Sequence, residues 1–445
     1  MSFSVTPSSQ VDLLGGSPYV SYAYAYPHKT AYRELKPRPL LSELWKDESQ
    51  KALFLYLHIP FCEFRCGFCN LFTLSRPDQS LPAKYIAALR RQATAVRQSV
   101  PEARFARLAL GGGTPTFLTT EELKEVFGIL HDIMDVSTTS TPLGCEASPA
   151  TASLEKLQYL KAQGVDRLSL GVQSFDDQDC GGIGRPQKSK DVIRCLDSIA
   201  ETGFPTLNLD LIYGGERQTM DSWIATVETA LKFRPEELYL YPLYVRPQTG
   251  IGRLQHQWDD WRLTAYREAR SLLIDRGYSQ VSMRMFRASH APKLEGPVYC
   301  CQQDGMIGLG CGARSYTERV HYGTDYAVRN SAIEGIIGKY VSQSDAEFRS
   351  AEHGFELCDD EQRRRHLILS LLQIEGVSLA EYKARFGTEL IEDFPQLAEL
   401  EDRGLLVQET TRIALTPEGI ERSDAIGPWL FSPQVNELME QYRWE

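Results

Sequence analysis

The sequence predicts an α/β protein built on a partial (β/α)6 TIM-like barrel, with an N-terminal extension and a small C-terminal winged-helix-like domain. Six short apolar, β-rich segments alternate with six amphipathic segments, which indicates parallel strands with helices outside. Polar and glycine residues recur where the β-rich segments end. From about residue 345 the alternation gives way to short helices and a strand pair. Since six units are fewer than the eight of a closed barrel, we expect an open one.

The barrel prediction depends on the order of the individual segments. The predicted strands are 53–61, 107–113, 143–149, 167–174, 206–214 and 237–245. The predicted helices are 82–99, 119–134, 151–164, 190–203, 218–233 and 261–277. A threonine before an acidic first turn begins the second helix, as N-cap residues do. Gly164 ends the third helix, because glycine tolerates the left-handed conformation found at helix ends.

The residues before and after the barrel are predicted as separate parts. Residues 1–50 form an N-terminal extension, and 51–280 form the barrel. Residues 281–340 hold late strands or a lid, and 341–445 form the C-terminal domain.

The extension alternates tyrosine with small residues, so we expect an extended strap on the barrel edge. In the alternative, the strap covers the mouth of the site, and Tyr26 or His28 touches the substrate.

Composition argues for a cytoplasmic protein. Lys and Arg number 48 against 59 Asp and Glu, a formal net charge of −11, so neither nucleic acid nor an anionic membrane is expected as a partner. The N-terminus has no basic segment followed by an apolar one, and we expect no signal peptide. No apolar run approaches the roughly 18 residues that a membrane helix needs.

The segment CEFRCGFC, at the end of the first predicted strand, brings Cys62, Cys66 and Cys69 close together in the chain. Each iron of a cubane [4Fe-4S] cluster takes one external ligand, so three thiolates leave the fourth iron open. An open position is typical of a catalytic metal site. The alternatives are simple packing or a zinc site, for which His58 is the nearest upstream ligand but lies within the strand.

Other polar residues fall at the carboxyl ends of the strands, where barrel enzymes collect their chemistry. GGGTP (111–115), Glu146, Gln173 and Asp210 end the second to fifth strands, and Arg185 follows the fourth in a loop. Glycine lets the backbone approach a ligand, and its amide can bind a charged group. A carboxylate at a barrel mouth needs a cation or donors. The alternatives are a tight turn for the glycines and helix caps or salt bridges for the others.

CEFRCGFC resembles the cluster loop of the radical S-adenosylmethionine (SAM) superfamily. The segments LYLHIPFC, LGGGTPT, RLSLGVQSF and NLDLIYG resemble the oxygen-independent coproporphyrinogen III oxidase family, with its heme-chaperone and methyltransferase relatives. The resemblance runs from about residue 53 to 320. It implies that the three cysteines hold the cluster and that S-adenosyl-L-methionine binds the open iron. An electron then cleaves SAM to methionine and a 5′-deoxyadenosyl radical, which abstracts hydrogen from the substrate.

The resemblance also implies roles for single residues. Contacts with SAM are implied for Gly112, Gly113, Thr114, Glu146, Gln173, Arg185 and Asp210. Tyr56 and His58 resemble positions near SAM and the substrate, and Gln302 and Gln303 resemble positions near a second SAM. We therefore expect one or two SAM molecules, a small-molecule substrate, and a flavodoxin or ferredoxin as electron donor.

Two departures from the family pattern concern the reaction itself. The oxidase pattern C-x3-C-x2-C-x-C has a fourth cysteine where this chain has Leu71. The HNxxYW signature of the heme chaperones is replaced by GPVYCCQQDGMIGLG. The leading interpretation is a radical SAM enzyme acting on a tetrapyrrole-like or other aromatic metabolite. The alternatives are a methyltransferase that uses a second SAM, a heme-binding carrier, and a DNA-binding module.

Overall fold

Residues 13–23, 25–245, 249, 261–293 and 305–443 are described by the structure, a computed structural model. Its β-strands are β1 (Arg33–Glu34), β2 (Leu53–Ile59), β3 (Phe61–Cys62), β4 (Leu74–Ser75), β5 (Phe105–Gly112), β6 (Leu143–Ala147), β7 (Arg167–Gln173), β8 (Thr206–Tyr213), β9 (Glu237–Pro242), β10 (Tyr278–Gln280), β11 (Met285–Ala288), β12 (Met306–Leu309), β13 (Arg314–Tyr316), β14 (Val320–Gly323), β15 (His353–Glu356), β16 (Val377–Ser378), β17 (Leu406–Gln408) and β18 (Arg412–Leu415).

The α-helices lie between and after these strands. They are α1 (Leu41–Leu44), α2 (Leu81–Ser99), α3 (Thr120–Gly128), α4 (Leu154–Ala162), α5 (Asp177–Gly182), α6 (Ser189–Thr202), α7 (Met220–Lys232), α8 (Arg262–Asp275), α9 (Asn330–Ser342), α10 (Asp359–Leu371), α11 (Leu379–Phe386), α12 (Leu390–Asp393), α13 (Leu397–Asp402), α14 (Pro417–Ile420), α15 (Ser423–Trp429) and α16 (Pro433–Glu440). Within the described ranges, no helix combines the length and apolar character needed to cross a membrane.

The barrel consists of six parallel strands in the order β2-β5-β6-β7-β8-β9, as the sequence predicts. The largest difference from the predicted bounds is at the end of β9, where 245 was expected and Pro242 is observed. Side chains alternate between two faces. On β2, for example, Leu55 and Leu57 are buried on one face, whereas Phe54 and Tyr56 are half-buried on the other.

Helix boundaries follow local chemistry. The Thr119 side chain accepts from the Glu122 amide at the start of α3, and Gly164 after α4 has a φ of +89°. The predicted second helix continues past α3 as a π-helical turn, Ile129–Ile133. Helix α5 was not predicted from the sequence. It is a short helix whose N-cap residue, Asp176, accepts hydrogen bonds from two backbone amides.

The sheet extends beyond the six predicted strands. Strand β12 pairs parallel with β2 on the side away from β5, and β13, β14, β15 and β1 follow antiparallel. At the other edge β11 and β10 pair antiparallel with β9. The described part of the late segment therefore holds strands β11 to β14 and most of helix α9. Strands β1 and β15 belong to the same sheet as the barrel strands, so this sheet extends across the domain boundaries predicted near residues 50 and 340. The boundaries themselves stay predictions.

The C-terminal domain has the arrangement of a winged helix. Helices α10, α11 and α13 pack beside the antiparallel sheet β16-β18-β17, in which β17 and β18 form the wing.

The N-terminal strap runs between this domain and the barrel. Tyr19 packs edge-on against Tyr213 of β8 at 6.2 Å between ring centroids, and the Ser21 amide donates to Asp424 O at 2.9 Å. Tyr26 is buried and donates to Glu361 of α10. The alternative in which Tyr26 touches substrate is therefore wrong.

Candidate active site

The cysteine loop lies at the carboxyl end of β2. Cys62 ends β3, which pairs with β4, and the intervening loop carries Cys66 and Cys69. Arg65 fastens this loop, since its Nη1 donates to Thr73 O at 3.1 Å and to Asn330 Oδ1 at 3.0 Å.

Several donors surround the cysteine sulfurs. The Thr73 hydroxyl donates to Cys62 Sγ at 2.9 Å, and Thr114 Oγ1 lies 3.4 Å from the same sulfur. Arg185 Nη1 donates to Cys66 Sγ at 3.3 Å. Such donors stabilise the thiolate form that binds iron. Burial raises the pKa of Cys69 to about 12, so loading of a metal displaces its proton.

The loop fits a polynuclear cluster better than a single ion. Across the residues that the structure describes, no three His, Cys, Asp or Glu side chains are placed to hold one metal ion. A cubane needs no such convergence, because each thiolate binds a different iron. Gly113 leaves room for this arrangement, since a Cβ there would come within 2.9 Å of Cys62 Sγ and 2.5 Å of Thr73 Oγ1.

The GGGTP segment binds β3, the strand that ends at Cys62, to the barrel through backbone hydrogen bonds. The amides of Gly113 and Thr114 donate to Ile59 O at 2.8 Å and to Phe61 O at 2.9 Å. Both amides therefore already have a protein acceptor. That these residues lie beside SAM stays a prediction.

His58 and Tyr56 point from β2 to the same face, and His58 is enclosed. His58 Nε2 donates to Phe72 O at 2.9 Å, which leaves Nδ1 to accept from Tyr56 OH at 3.2 Å. Burial lowers the pKa of His58 to about 4, so the ring is neutral. A Cβ on Gly112 or Gly312 would come within 2.9 Å of this ring. His58 therefore supports the cysteine loop, and its predicted contact with the substrate stays a prediction.

Glu146 and Asp210 are two neighbouring carboxyls inside the barrel. The Glu146 side chain is open to the interior space although the barrel wall surrounds it, and Oε2 accepts from the Gly112 amide at 3.1 Å. The barrel wall around the carboxyl desolvates it, and this effect, reinforced by Asp210, raises the pKa of Glu146 to about 7. Burial also raises the pKa of Asp210 to about 6, although Asn208 donates to it at 2.9 Å. A cation bound beside the pair would lower both pKa values, because it favours the charged carboxylates.

Gln173 occupies a strained backbone position. Its φ is +68°, and a register shift between Gly171 and Gln173 interrupts the pairing of β7 with β8. A non-glycine residue in the left-handed region at a strand end is typical of functional sites. The bulge sets Gln173 Nε2 so close to Gly171 that a Cβ on Gly171 would come within 3.0 Å of it.

Tyr239 and Tyr241 were not among the predicted site residues. They alternate along β9, and their rings stack with centroids 5.9 Å apart. Burial, with a further contribution from Asp210, raises the pKa of Tyr241 well above its usual value, so the phenol stays protonated. The alternation ELYLYP was a signal that could have identified them.

A cavity of about 360 Å3 lies outside the barrel, between the amino-terminal ends of α4 and α6. Phe64 of the cysteine loop and Gln187 form part of its wall, and none of the predicted SAM-contact residues lines it. Gln302 and Gln303 lie outside the described residues, as do Cys300 and Cys301.

Comparison with known proteins identifies two matching families. Residues 56–230 match the model of the radical SAM superfamily, and residues 357–421 match the HemN C-terminal domain. The chain is 29% identical over 374 residues to the heme chaperone HemW of Bacillus subtilis, and the aligned region covers 82% of this chain and 95% of that relative. It is 26% identical over 430 residues to the oxygen-independent coproporphyrinogen III oxidase of Escherichia coli, spanning 89% and 91%.

The fold also has a counterpart of known structure. The coproporphyrinogen III oxidase HemN of Escherichia coli superposes with a TM-score of 0.78 at 21% identity, covering 91% of this chain and 96% of that one. This likeness confirms the predicted fold class, a partial barrel with a small C-terminal domain.

Proposed function

The chain belongs to the radical SAM superfamily and, within it, to the oxygen-independent coproporphyrinogen III oxidase-like family, and on this premise we propose that it is a radical SAM enzyme. Membership implies a [4Fe-4S] cluster and SAM. The proposed substrate is a tetrapyrrole-like or other aromatic metabolite. The observation that carries the proposal is the three-cysteine loop at the end of β2, beside the carboxyls of the barrel interior.

Each group of residues has a task in the proposed reaction. Cys62, Cys66 and Cys69 hold the cluster, which together with SAM supplies a 5′-deoxyadenosyl radical for hydrogen abstraction. Glu146 and Asp210 bind the amino group and ribose hydroxyls of SAM, since carboxylates accept such donors.

Aromatic side chains of the interior support an aromatic substrate. Tyr239 and Tyr241 offer stacked rings on β9, and Tyr56 adds a third phenol on β2. Flat aromatic surfaces favour planar ligands through offset stacking.

A first experiment measures the products of SAM. The protein is reconstituted anaerobically with iron and sulfide, given SAM and dithionite, and assayed by chromatography for 5′-deoxyadenosine and S-adenosylhomocysteine. Cys66→Ala, which lacks one cluster ligand, is the control. Deoxyadenosine from the wild type alone supports the proposal, and accompanying S-adenosylhomocysteine favours a methyltransferase that uses a second SAM. A loaded cluster that yields neither product contradicts enzymatic SAM cleavage.

A second candidate is a heme-binding carrier, because one relative, at 29% identity, is a heme chaperone. A carrier should bind heme stoichiometrically while consuming SAM slowly. Heme titration followed by absorbance, on the same loaded protein, separates this function from the first.

The partners and location remain part of the proposal. We expect a flavodoxin or ferredoxin electron donor, a small-molecule substrate, a cytoplasmic location, and neither nucleic acid nor membrane as a partner. If the enzyme turns over without dithionite and without flavodoxin or ferredoxin, the proposed electron donor is contradicted. A duplex shift at low salt, where backbone contacts are strongest, contradicts the exclusion of nucleic acid.

A further inference from the structure

Arg185 lies in the loop between α5 and α6 and is only 7% exposed. Each nitrogen of its guanidinium has its own acceptor. Nε donates to Gln187 Oε1 at 2.8 Å, Nη2 to Gly171 O at 2.6 Å, and Nη1 to Cys66 Sγ at 3.3 Å. The Phe64 ring covers the guanidinium carbon at 5.6 Å from its centroid. The side chain is therefore held by four groups, of which one is a cysteine sulfur.

Backbone contacts hold Arg185 beside the cysteine loop. The Gly67 amide, next to Cys66, donates to Gly184 O at 3.1 Å. Gly184 has a φ of +65°, and a Cβ there would come within 2.9 Å of Gly67 Cα. On the other side, Gln187 Nε2 donates to Val172 O at 2.7 Å. Because the two loops touch through glycine backbone, Arg185 cannot move away from Cys66 without breaking this contact.

We infer that Arg185 raises the reduction potential of the cluster by stabilising the charge that reduction adds at Cys66. The inference rests on the proposed function, since it requires the cluster. One electron from dithionite converts the oxidised [4Fe-4S]2+ core to the 1+ state, and the added negative charge spreads onto the thiolate ligands. A buried guanidinium that donates to a thiolate favours the more negative state. Cys62 differs, because Thr73 and Thr114 approach it with uncharged hydroxyls.

This role is separate from the SAM contact that the resemblance implies for Arg185. The bond to Cys66 is made by protein atoms alone, so its effect on the potential is present without SAM. A titration of the loaded protein without SAM therefore isolates it.

The test compares midpoint potentials of the full-length, cluster-loaded protein, measured by dithionite titration with electron paramagnetic resonance and without SAM. Arg185→Met removes both the charge and the hydrogen-bond donors. Arg185→Lys keeps the charge but lacks the planar guanidinium that donates to three acceptors at once. Arg194→Met is the matched control, because that arginine is 75% exposed on α6 and pairs with Asp191. We expect a lower potential and changed g-values for Arg185→Met, an intermediate potential for Arg185→Lys, and wild-type values for Arg194→Met.

The outcomes separate this inference from the proposed function. Iron and sulfide are measured first, and a wild-type protein that holds no cluster contradicts the proposed function itself. A loaded Arg185→Met protein with the wild-type potential and g-values overturns the role of Arg185. Where Arg185→Met does not load, Arg185→Lys decides, and an unchanged potential in that variant likewise overturns it.

Discussion

Arg284 and Asp424 form a buried, two-pronged ion pair that joins the barrel to the C-terminal domain. Arg284 Nη1 donates to Asp424 Oδ1 at 2.9 Å, Nη2 donates to Oδ2, and the side chains are 4% and 1% exposed. Tyr22 of the strap lies over the guanidinium at 3.7 Å, and Tyr244 donates to the same carboxylate. Strap, barrel and C-terminal domain therefore meet at one charge pair.

Removal of one partner of this pair should strongly destabilise the protein. Asp424→Ala leaves the Arg284 charge buried without its counterion, and we expect a loss of about 3–5 kcal/mol in the free energy of unfolding. Urea denaturation of the cluster-free protein measures it. Glu399→Ala, which breaks the exposed pair with Arg403, should change that free energy by less than about 1 kcal/mol. Equal effects for both variants would contradict the account.

The affinity for SAM should depend on pH through Glu146. Its pKa of about 7 means that the carboxyl is neutral below this pH and charged above it. A cationic ligand needs the charged form, so we expect the dissociation constant for SAM to rise as pH falls from 8 to 6. The rise should approach about tenfold per pH unit at its steepest.

Calorimetry on the cluster-loaded protein measures this dependence. Glu146→Gln should bind SAM weakly at every pH, with the steep part of the profile lost. Glu121→Gln alters an exposed carboxyl paired with Lys124 and should keep the wild-type profile. A flat wild-type profile would mean that Glu146 does not meet the cation.

Gln173→Gly should separate stability from binding. Glycine tolerates the φ of +68°, so the substitution relieves strain of about 1 kcal/mol and should maintain or raise the unfolding free energy. Loss of the amide side chain should weaken SAM binding. Arg234→Gly relieves a similar φ of +48° away from the site and should leave SAM binding unchanged. A Gln173→Gly protein that binds SAM normally contradicts the predicted contact.

Gly113→Ala should impair cluster loading. The added methyl group would press on Cys62 Sγ and the Thr73 hydroxyl, which would displace the cysteine strand. We expect markedly less iron per chain after reconstitution, measured by colorimetric iron assay. Gly338→Ala adds the same group on α9, where no atom beyond the adjoining helix backbone lies within 4 Å, and should load normally. Full loading of Gly113→Ala would contradict this prediction, because it would mean that the cysteine loop can shift to make room for the methyl group.

The barrel could be predicted because its signals are local. The alternation of β2 and the closing Gly164 each depend on neighbours a few residues away, and the structure agrees with both. The same holds for the three cysteines, whose spacing places them in one loop.

Contacts between distant segments could not be read from the sequence. Arg185 and Cys66 are 119 residues apart, and no pattern in either segment indicates their contact. The hydrogen bonds that the Gly113 and Thr114 amides donate to Ile59 O and Phe61 O depend on how the segment 59–61 packs beside the end of β5. The glycine motif alone does not specify this packing. The path of the strap likewise requires partners from the other end of the chain.

The buried position of Tyr26 has a consequence for the order of folding during synthesis. Tyr26 and its partner Glu361 are 335 residues apart. At roughly 5–20 residues per second, the ribosome makes that partner about 17 to 67 s after Tyr26. Throughout this interval the strap has no helix α10 to close over it, and during it every barrel strand from β2 to β9 is made. A nascent chain halted between Pro242 and Glu361 therefore has a complete set of barrel strands and an unanchored N-terminal segment.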